Sequence, residues 1–285
     1  MVITLGIARY QRKTGPTYPV SGKTQLGQNQ ITYNLKRTHG GMDNHQVRIE
    51  IPDPSIEGYV LWKYYKLDKP AKITKMNLDG MELYAELPHQ PPAGKLEYQV
   101  KLTHNGDNVI MPPDEPAVIR FKGHVPKGVL LPHVFMMFAA LLIGMQATLS
   151  ALFGLKIKTK AWVTLGLIAV GGLIFGPIVQ KYAFGAFWTG WPLGEDWTDN
   201  KTAIMALGWI AAVWALRGKD GEKRGRWWVV AATILMFTIY LIPHSMHGSE
   251  LDYSSLPADS LAKISQVPVS TIPVVLEMQE VDDVP

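Results

Sequence analysis

Val129 to Leu155 reads VLLPHVFMMFAALLIGMQATLSALFGL, an apolar run without a charged residue. A bilayer core of roughly 30 Å takes about 20 mostly apolar residues in helical form, and a soluble helix of that length with no polar face would be unusual. The run predicts a membrane-crossing helix. Three more apolar segments follow, Ala161 to Gln180, Thr202 to Leu216 and Trp227 to Pro243. The first of these meets the length directly, and the other two meet it once flanking Trp and Gly residues are counted. The expected helical part is therefore a four-transmembrane-helix bundle over residues 127–247, with spans at 129–155, 161–180, 202–216 and 227–243.

The connections set the expected orientation. Lys156, Lys158 and Lys160 join the first two segments, and RGKDGEKRGR (Arg217–Arg226) joins the last two. The loop between segments two and three carries only acids, Glu195, Asp196 and Asp199. Short basic loops stay in the cytoplasm, so the acidic, aromatic loop is expected outside. That assignment predicts a multi-pass protein of the bacterial inner membrane whose N-terminal domain and C-terminal tail are periplasmic.

Upstream of the apolar half the period changes to two. Val47, Ile49 and Ile51 alternate with polar residues, and Leu96, Tyr98, Val100 and Leu102 share one face of KLEYQVKL. Further β-rich stretches lie at 59–65, 81–87, 109–111 and 117–121, with two more at 17–20 and 30–35. Six to eight short strands separated by Gly, Pro, Asn and Asp predict an immunoglobulin-like β-sandwich, with Trp62 as its central aromatic. The expected fold class is therefore α+β: an N-terminal immunoglobulin-like β-sandwich plus a four-transmembrane-helix bundle. The division expected is a short apolar N-terminal segment (1–15), an extracytoplasmic sandwich (16–126), the helical bundle (127–247) and an extended periplasmic tail (248–285). MVITLGIA (Met1–Ala8) is too short for a signal sequence or an anchor helix. Either the start lies upstream, or the segment is the remnant of an anchor, or segment one directs the domain outward.

Composition removes several chemistries. With no cysteine there is no disulfide, thiolate nucleophile, Cys-ligated zinc, iron–sulfur cluster or covalently attached haem. The formal charge of +4 sits largely in the loops that orient the chain, so nucleic acid is not an expected partner. No phosphate-binding Gly loop, nucleophile elbow or paired-carboxylate pattern is present. His39 and His45 flank a Gly-Gly loop that could meet copper or zinc, or simply be solvated. The segment interiors offer only Gln146, Thr148, Ser150, Thr164, Thr233 and Thr238 as polar groups, which argues against transport.

The repeated phrase Leu131-Pro132-His133 and Ile242-Pro243-His244 is the most suggestive constellation. It places His133 and His244 at similar depth near the outer face, where two histidines from different helices could ligate haem b or a chlorophyll-type pigment. His247, Asp199 and Glu250, with Glu195, Asp196 and Asp252 nearby, could instead hold a metal ion. The bland alternative is that each histidine caps a helix end in the headgroup zone. Eight of the nine tryptophans follow residue 160, and Trp188, Trp191 and Trp197 fall at the outer interface, where they could anchor the protein in lipid or dock a partner. Gly172 with Gly176, and Gly208 with Ala212, allow close helix packing. The tail from Ser254 to Pro285 has too little periodicity to fold alone and is expected to lie in a groove on a partner.

TGPTYP (Thr14–Pro19), PPAGKLEY (Pro91–Tyr98) and FWTGWPLGEDWTDNKT (Phe187–Thr202) resemble motifs of a group of bacterial inner-membrane proteins. These carry an extracytoplasmic β-sandwich followed by four transmembrane helices, usually after an additional N-terminal anchor. The resemblance spans most of the chain and implies an architecture but no chemistry. Two functions are expected. One is a non-catalytic accessory subunit of a photosynthetic or respiratory complex, whose sandwich docks other membrane-protein subunits or a periplasmic cytochrome. The other is a redox protein with haem b between His133 and His244.

Overall fold

The structure, a computed structural model, describes residues 2–194, 196–242, 249–257, 260, 261 and 264. Helix α1 (Val2–Thr14) leads into eleven strands among the described residues: β1 (Val20–Leu26), β2 (Asn29–Leu35), β3 (Thr38–Gly40), β4 (His45–Glu50), β5 (Glu57–Tyr64), β6 (Lys72–Lys75), β7 (Asn77–Asp79), β8 (Glu82–Leu87), β9 (Lys95–His104), β10 (Asp107–Met111) and β11 (Ala117–Lys122). The largest sheet runs β3-β11-β9-β5-β6, with β10 also pairing β9; β4-β8-β7 and β1-β2 form two smaller sheets.

The alternation in sequence becomes alternation in burial. Along β9 every second residue from Leu96 to Leu102 is buried, and β5 does the same with Val60, Trp62 and Tyr64. These side chains meet Ile31, Ile49 and Leu87 of the smaller sheets in one core, giving a sandwich-like sheet region. Trp62 is 1% exposed, and its indole N–H donates to Thr74 Oγ1 at 3.1 Å, which satisfies the polar atom that burial would otherwise strand. The short strands β3, β6 and β7 escape a reading by period because three or four residues hold too little pattern.

The C-terminal segment straps this region. Leu251 N–H donates to the Ala93 carbonyl at 3.1 Å, and the Tyr64 hydroxyl donates to the Leu261 carbonyl at 3.1 Å. Between them, the buried Tyr253 hydroxyl accepts from Lys95 N–H (2.9 Å) and donates to Gln90 Oε1 (3.0 Å). The near part of the tail thus meets the chain's own sheet, while everything beyond residue 264 lies outside the described residues. Tyr253→Phe strands a buried donor and a buried acceptor together, and is expected to cost about 2 kcal/mol in chemical unfolding; no measurable change would detach the strap from the fold.

The helical part is α2 (Lys127–Leu152), α3 (Lys158–Leu167), a π-helical stretch (Ile168–Phe175), α4 (Gly176–Phe184), α5 (Trp197–Ala215) and α6 (Gly221–Leu241). Ala140, Ala147 and Ala151 of α2 pack with Trp209 and Ala212 of α5 and Val229, Ala232 and Met236 of α6 in a second core. Thr233 Oγ1 crosses from α6 to the Gly144 carbonyl at 3.2 Å.

The expected bundle of four transmembrane helices is corrected here. Among the described residues two helices are long and apolar enough to cross a membrane, Lys127–Leu152 and the continuous Lys158–Phe184, with 26 and 27 residues. The other two fall short because their first turns are charged. Helix α5 opens with Asp199 and Lys201, leaving about 21 Å of apolar helix from Thr202 to Ala215 at 1.5 Å per residue. Helix α6 opens with GEKRGR, leaving about 22 Å from Trp227 to Leu241. Counting flanking tryptophans toward span length obscured this, since those flanks are interleaved with charge. Glu222 accepts from the backbone N–H groups of Ile157 (3.4 Å) and Lys158 (3.3 Å), which brings the two basic turns together at the end remote from the sheets.

Candidate functional site

The sheet region meets the helices through a buried polar junction. Gly123, just past β11, donates its N–H to the Ala183 carbonyl of α4 at 3.0 Å. A Cβ at Gly123 would stand 2.2 Å from the Tyr182 carbonyl oxygen, so only glycine allows this approach. Beside it the Arg120 guanidinium lies over the Phe184 ring, 4.2 Å to the centroid, and donates to the Ser249 carbonyl.

Two aspartates of the α5 start hold the loop that precedes the helix. Asp196 caps it: Oδ1 accepts from Thr198 N–H at 2.8 Å, and Oδ2 accepts from Ser249 N–H at 3.1 Å. Asp199 is 5% exposed, and one of its oxygens accepts from Thr189 N–H (2.7 Å), Gly190 N–H (3.0 Å) and Gln180 Nε2 (2.9 Å). Burial pushes the Asp199 carboxyl up from its ordinary value, against the opposing pull of these donors. A Cβ on Gly190 would come within 2.7 Å of Asp199 Cβ, so the loop backbone reaches the carboxylate because glycine stands there. Asn200 Oδ1 then takes Trp191 N–H at 2.8 Å.

The outcome is a fixed backbone with free side chains. Trp188 donates its indole N–H to the Trp191 carbonyl at 3.3 Å, while the Trp191 and Leu193 side chains are 78% and 77% exposed. Phe187 and Trp197 are exposed as well.

Below the junction lies a cavity of about 690 Å³, bounded by α1, β11 and the helices. Its wall holds Arg12, Lys122, Gln180, Asp196, Asp199 and Lys201 at the end near the sheets, and Met137, Leu141, Met205 and Met236 deeper in. Lys201 is buried and donates to the Ile242 carbonyl at 3.3 Å. Burial lowers the pKa of the Lys122 ammonium, and the neighbouring Arg120 charge adds to that.

Of the residues singled out by sequence, His133 lines this cavity. Its Nδ1 donates to the Gly171 carbonyl at 2.7 Å, an oxygen that also receives Gly176 N–H in the π-helical stretch. His244, His247 and Glu195 lie outside the described residues. Glu250 faces Lys66 and Lys95 instead of Asp199; against the burial that would raise it, hydrogen bonds from those lysines hold its carboxyl below the ordinary value. Asp252 accepts from Ser254 N–H at 2.9 Å. Among the described residues no group of three or more His, Cys, Asp or Glu is placed to hold a metal ion.

His39 and His45 do meet, with ring centroids 5.2 Å apart; His45 is buried against Tyr98. Sequence reasoning passed over Gln180, Thr189, Lys201, Lys122, Arg120 and Ser249. A usable signal existed only for the Asp196 cap, an acid immediately before a helical run.

No protein-family model matches the chain, and no curated protein matches it. Among solved structures, the crystal structure of a Br derivative of BhCBM56 is similar over 36% of this chain and 92% of its own, at 11% identity and a TM-score of 0.22. A likeness at that level bears on neither ligand nor activity.

Proposed function

We propose that this chain is a non-catalytic accessory subunit of a larger membrane assembly, and that the Phe187–Trp197 loop docks a neighbouring membrane-protein subunit. One observation carries the reading: Asp199 and Asn200 hold the loop backbone in place while Trp191 and Leu193 project outward. A pre-ordered aromatic anchor loses little entropy on binding, and aromatic residues dominate the binding energy of protein interfaces. Exposed Phe135, Leu207, Trp214 and Ile234 on the helices add apolar surface of the kind that lipid or partner helices cover.

In this reading the assembly is of the bioenergetic type, a photosynthetic reaction centre or respiratory complex in the bacterial inner membrane. The Lys156–Lys160 turn is cytoplasmic by its charge, and the sheet region is periplasmic, beside a partner such as a cytochrome. Trp191→Ser with Leu193→Ser should release partners that otherwise stay stoichiometric through gel filtration in mild detergent, an interface loss of at least about 2 kcal/mol. The unfolding temperature should not change. A wild-type chain that elutes without stoichiometric partners would remove the reading.

A second reading has its own observation. With Nδ1 donating to a carbonyl, His133 keeps the Nε2 lone pair, the tautomer a haem or pigment ligand needs. A Soret band lost in His133→Ala would support it, and a colourless protein would end it.

A further inference from the structure

We propose that the cavity below the junction binds one anionic phospholipid from the bilayer, its headgroup at Arg12 and Lys122 and an acyl chain over Met137, Leu141, Met205 and Met236. The volume, about 690 Å³, lies within the 300–1,000 Å³ typical of small-molecule sites. The wall is sorted by depth. On α2 it runs from Leu130 to Leu141, about 16 Å along the helix axis. The α5 residues Asp196 to Lys201 stand at the sheet end, whereas Met205 is a further turn inward. Polar groups therefore gather at one end of an apolar chamber, which is lined by α5, α6 and, among the described residues, the two helices long enough to span a bilayer, α2 and Lys158–Phe184.

Charge selects the head. The acids in the wall are already occupied, Asp199 by two backbone N–H groups and Gln180, Asp196 by Thr198, Ser249 and Thr189. The cations differ. Among the described residues neither Arg12 nor Lys122 is ion-paired with a carboxylate. Lys122 is moreover partly withdrawn from water beside Arg120, where an uncompensated ammonium is costly. A phosphate there would compensate Lys122 and accept a charge-assisted hydrogen bond from the exposed Arg12 on the same wall.

The test uses the full chain, purified in nonionic detergent and exchanged free of lipid. Unfolding is followed with added phosphatidylglycerol, phosphatidylcholine or inorganic phosphate, and native mass spectrometry counts adducts. The expected result is one phosphatidylglycerol per chain and a raised unfolding temperature with that lipid alone. Arg12→Glu and Lys122→Glu should each weaken retention about tenfold, the equivalent of one charge-assisted hydrogen bond. Met205→Trp, which fills the floor, should abolish it, and Lys23→Glu on β1 should leave it unchanged. Equal effects of the two lipids, stabilisation by inorganic phosphate alone, no adduct, or a Soret band in the purified protein would each overturn the proposal. The wild-type comparison of the two lipids decides the matter even if a variant fails to fold.

Discussion

Asp199→Ala should destabilise the protein by about 4 kcal/mol, because it leaves three buried donors without an acceptor at about 1–3 kcal/mol each, partly offset by relaxation of the loop. The donors are Thr189 N–H, Gly190 N–H and Gln180 Nε2, all within 3.0 Å of one carboxylate oxygen. Asp199→Asn keeps one acceptor oxygen in a similar shape and should lose about half as much. Chemical unfolding in detergent measures both. The comparison also reports on docking. Asp199→Ala frees the backbone beneath Trp191, so partner retention should fall even where the chain is still folded. Trp191→Ser should remove retention without the stability loss. If Asp199→Ala unfolds at wild-type denaturant concentration, the carboxylate does not organise the junction.

The second large effect is on acid stability. His45 is buried on the inner side of β4, and burial lowers its pKa from the ordinary 6.5 to about 4, helped by His39 and Lys36. The unfolded chain then takes up a proton near pH 6.5 that the folded chain refuses until about pH 4. Folding stability from this group is full above the unfolded value and is lost as pH falls through that window, by about 3 kcal/mol in all. Unfolding midpoints measured from pH 7 to pH 4 should trace the loss, and His45→Phe, of similar shape, should flatten most of it. His89, also lowered by burial, contributes in the same direction. Asp199 works the other way: its raised carboxyl holds a proton more tightly when folded, so acidification through its own range adds stability. A His45→Phe profile that falls as steeply as wild type between pH 6.5 and pH 4 would show that His45 does not set the loss.

What the chain order determined alone is local and periodic. Alternation of Leu96, Tyr98, Val100 and Leu102 defined β9, and the uncharged Val129–Leu155 run defined α2, because a strand that buries one face alternates and a helix apolar on every side leaves an unbroken uncharged run. The same habit overreached at α5 and α6, where apolar content was visible but the charges that shorten the apolar length were read as loop. Tertiary structure alone decided the junction. Gln180, Thr189, Asp199 and Ser249 are separated by as many as 69 positions, yet they share one buried network. Lys122, an ordinary strand-end lysine in the sequence, becomes a cavity wall only because Gly123 lets β11 reach α4. Hydrogen bonds between distant segments have no period to announce them, since their partners are chosen by the packing of whole elements rather than by neighbours along the chain.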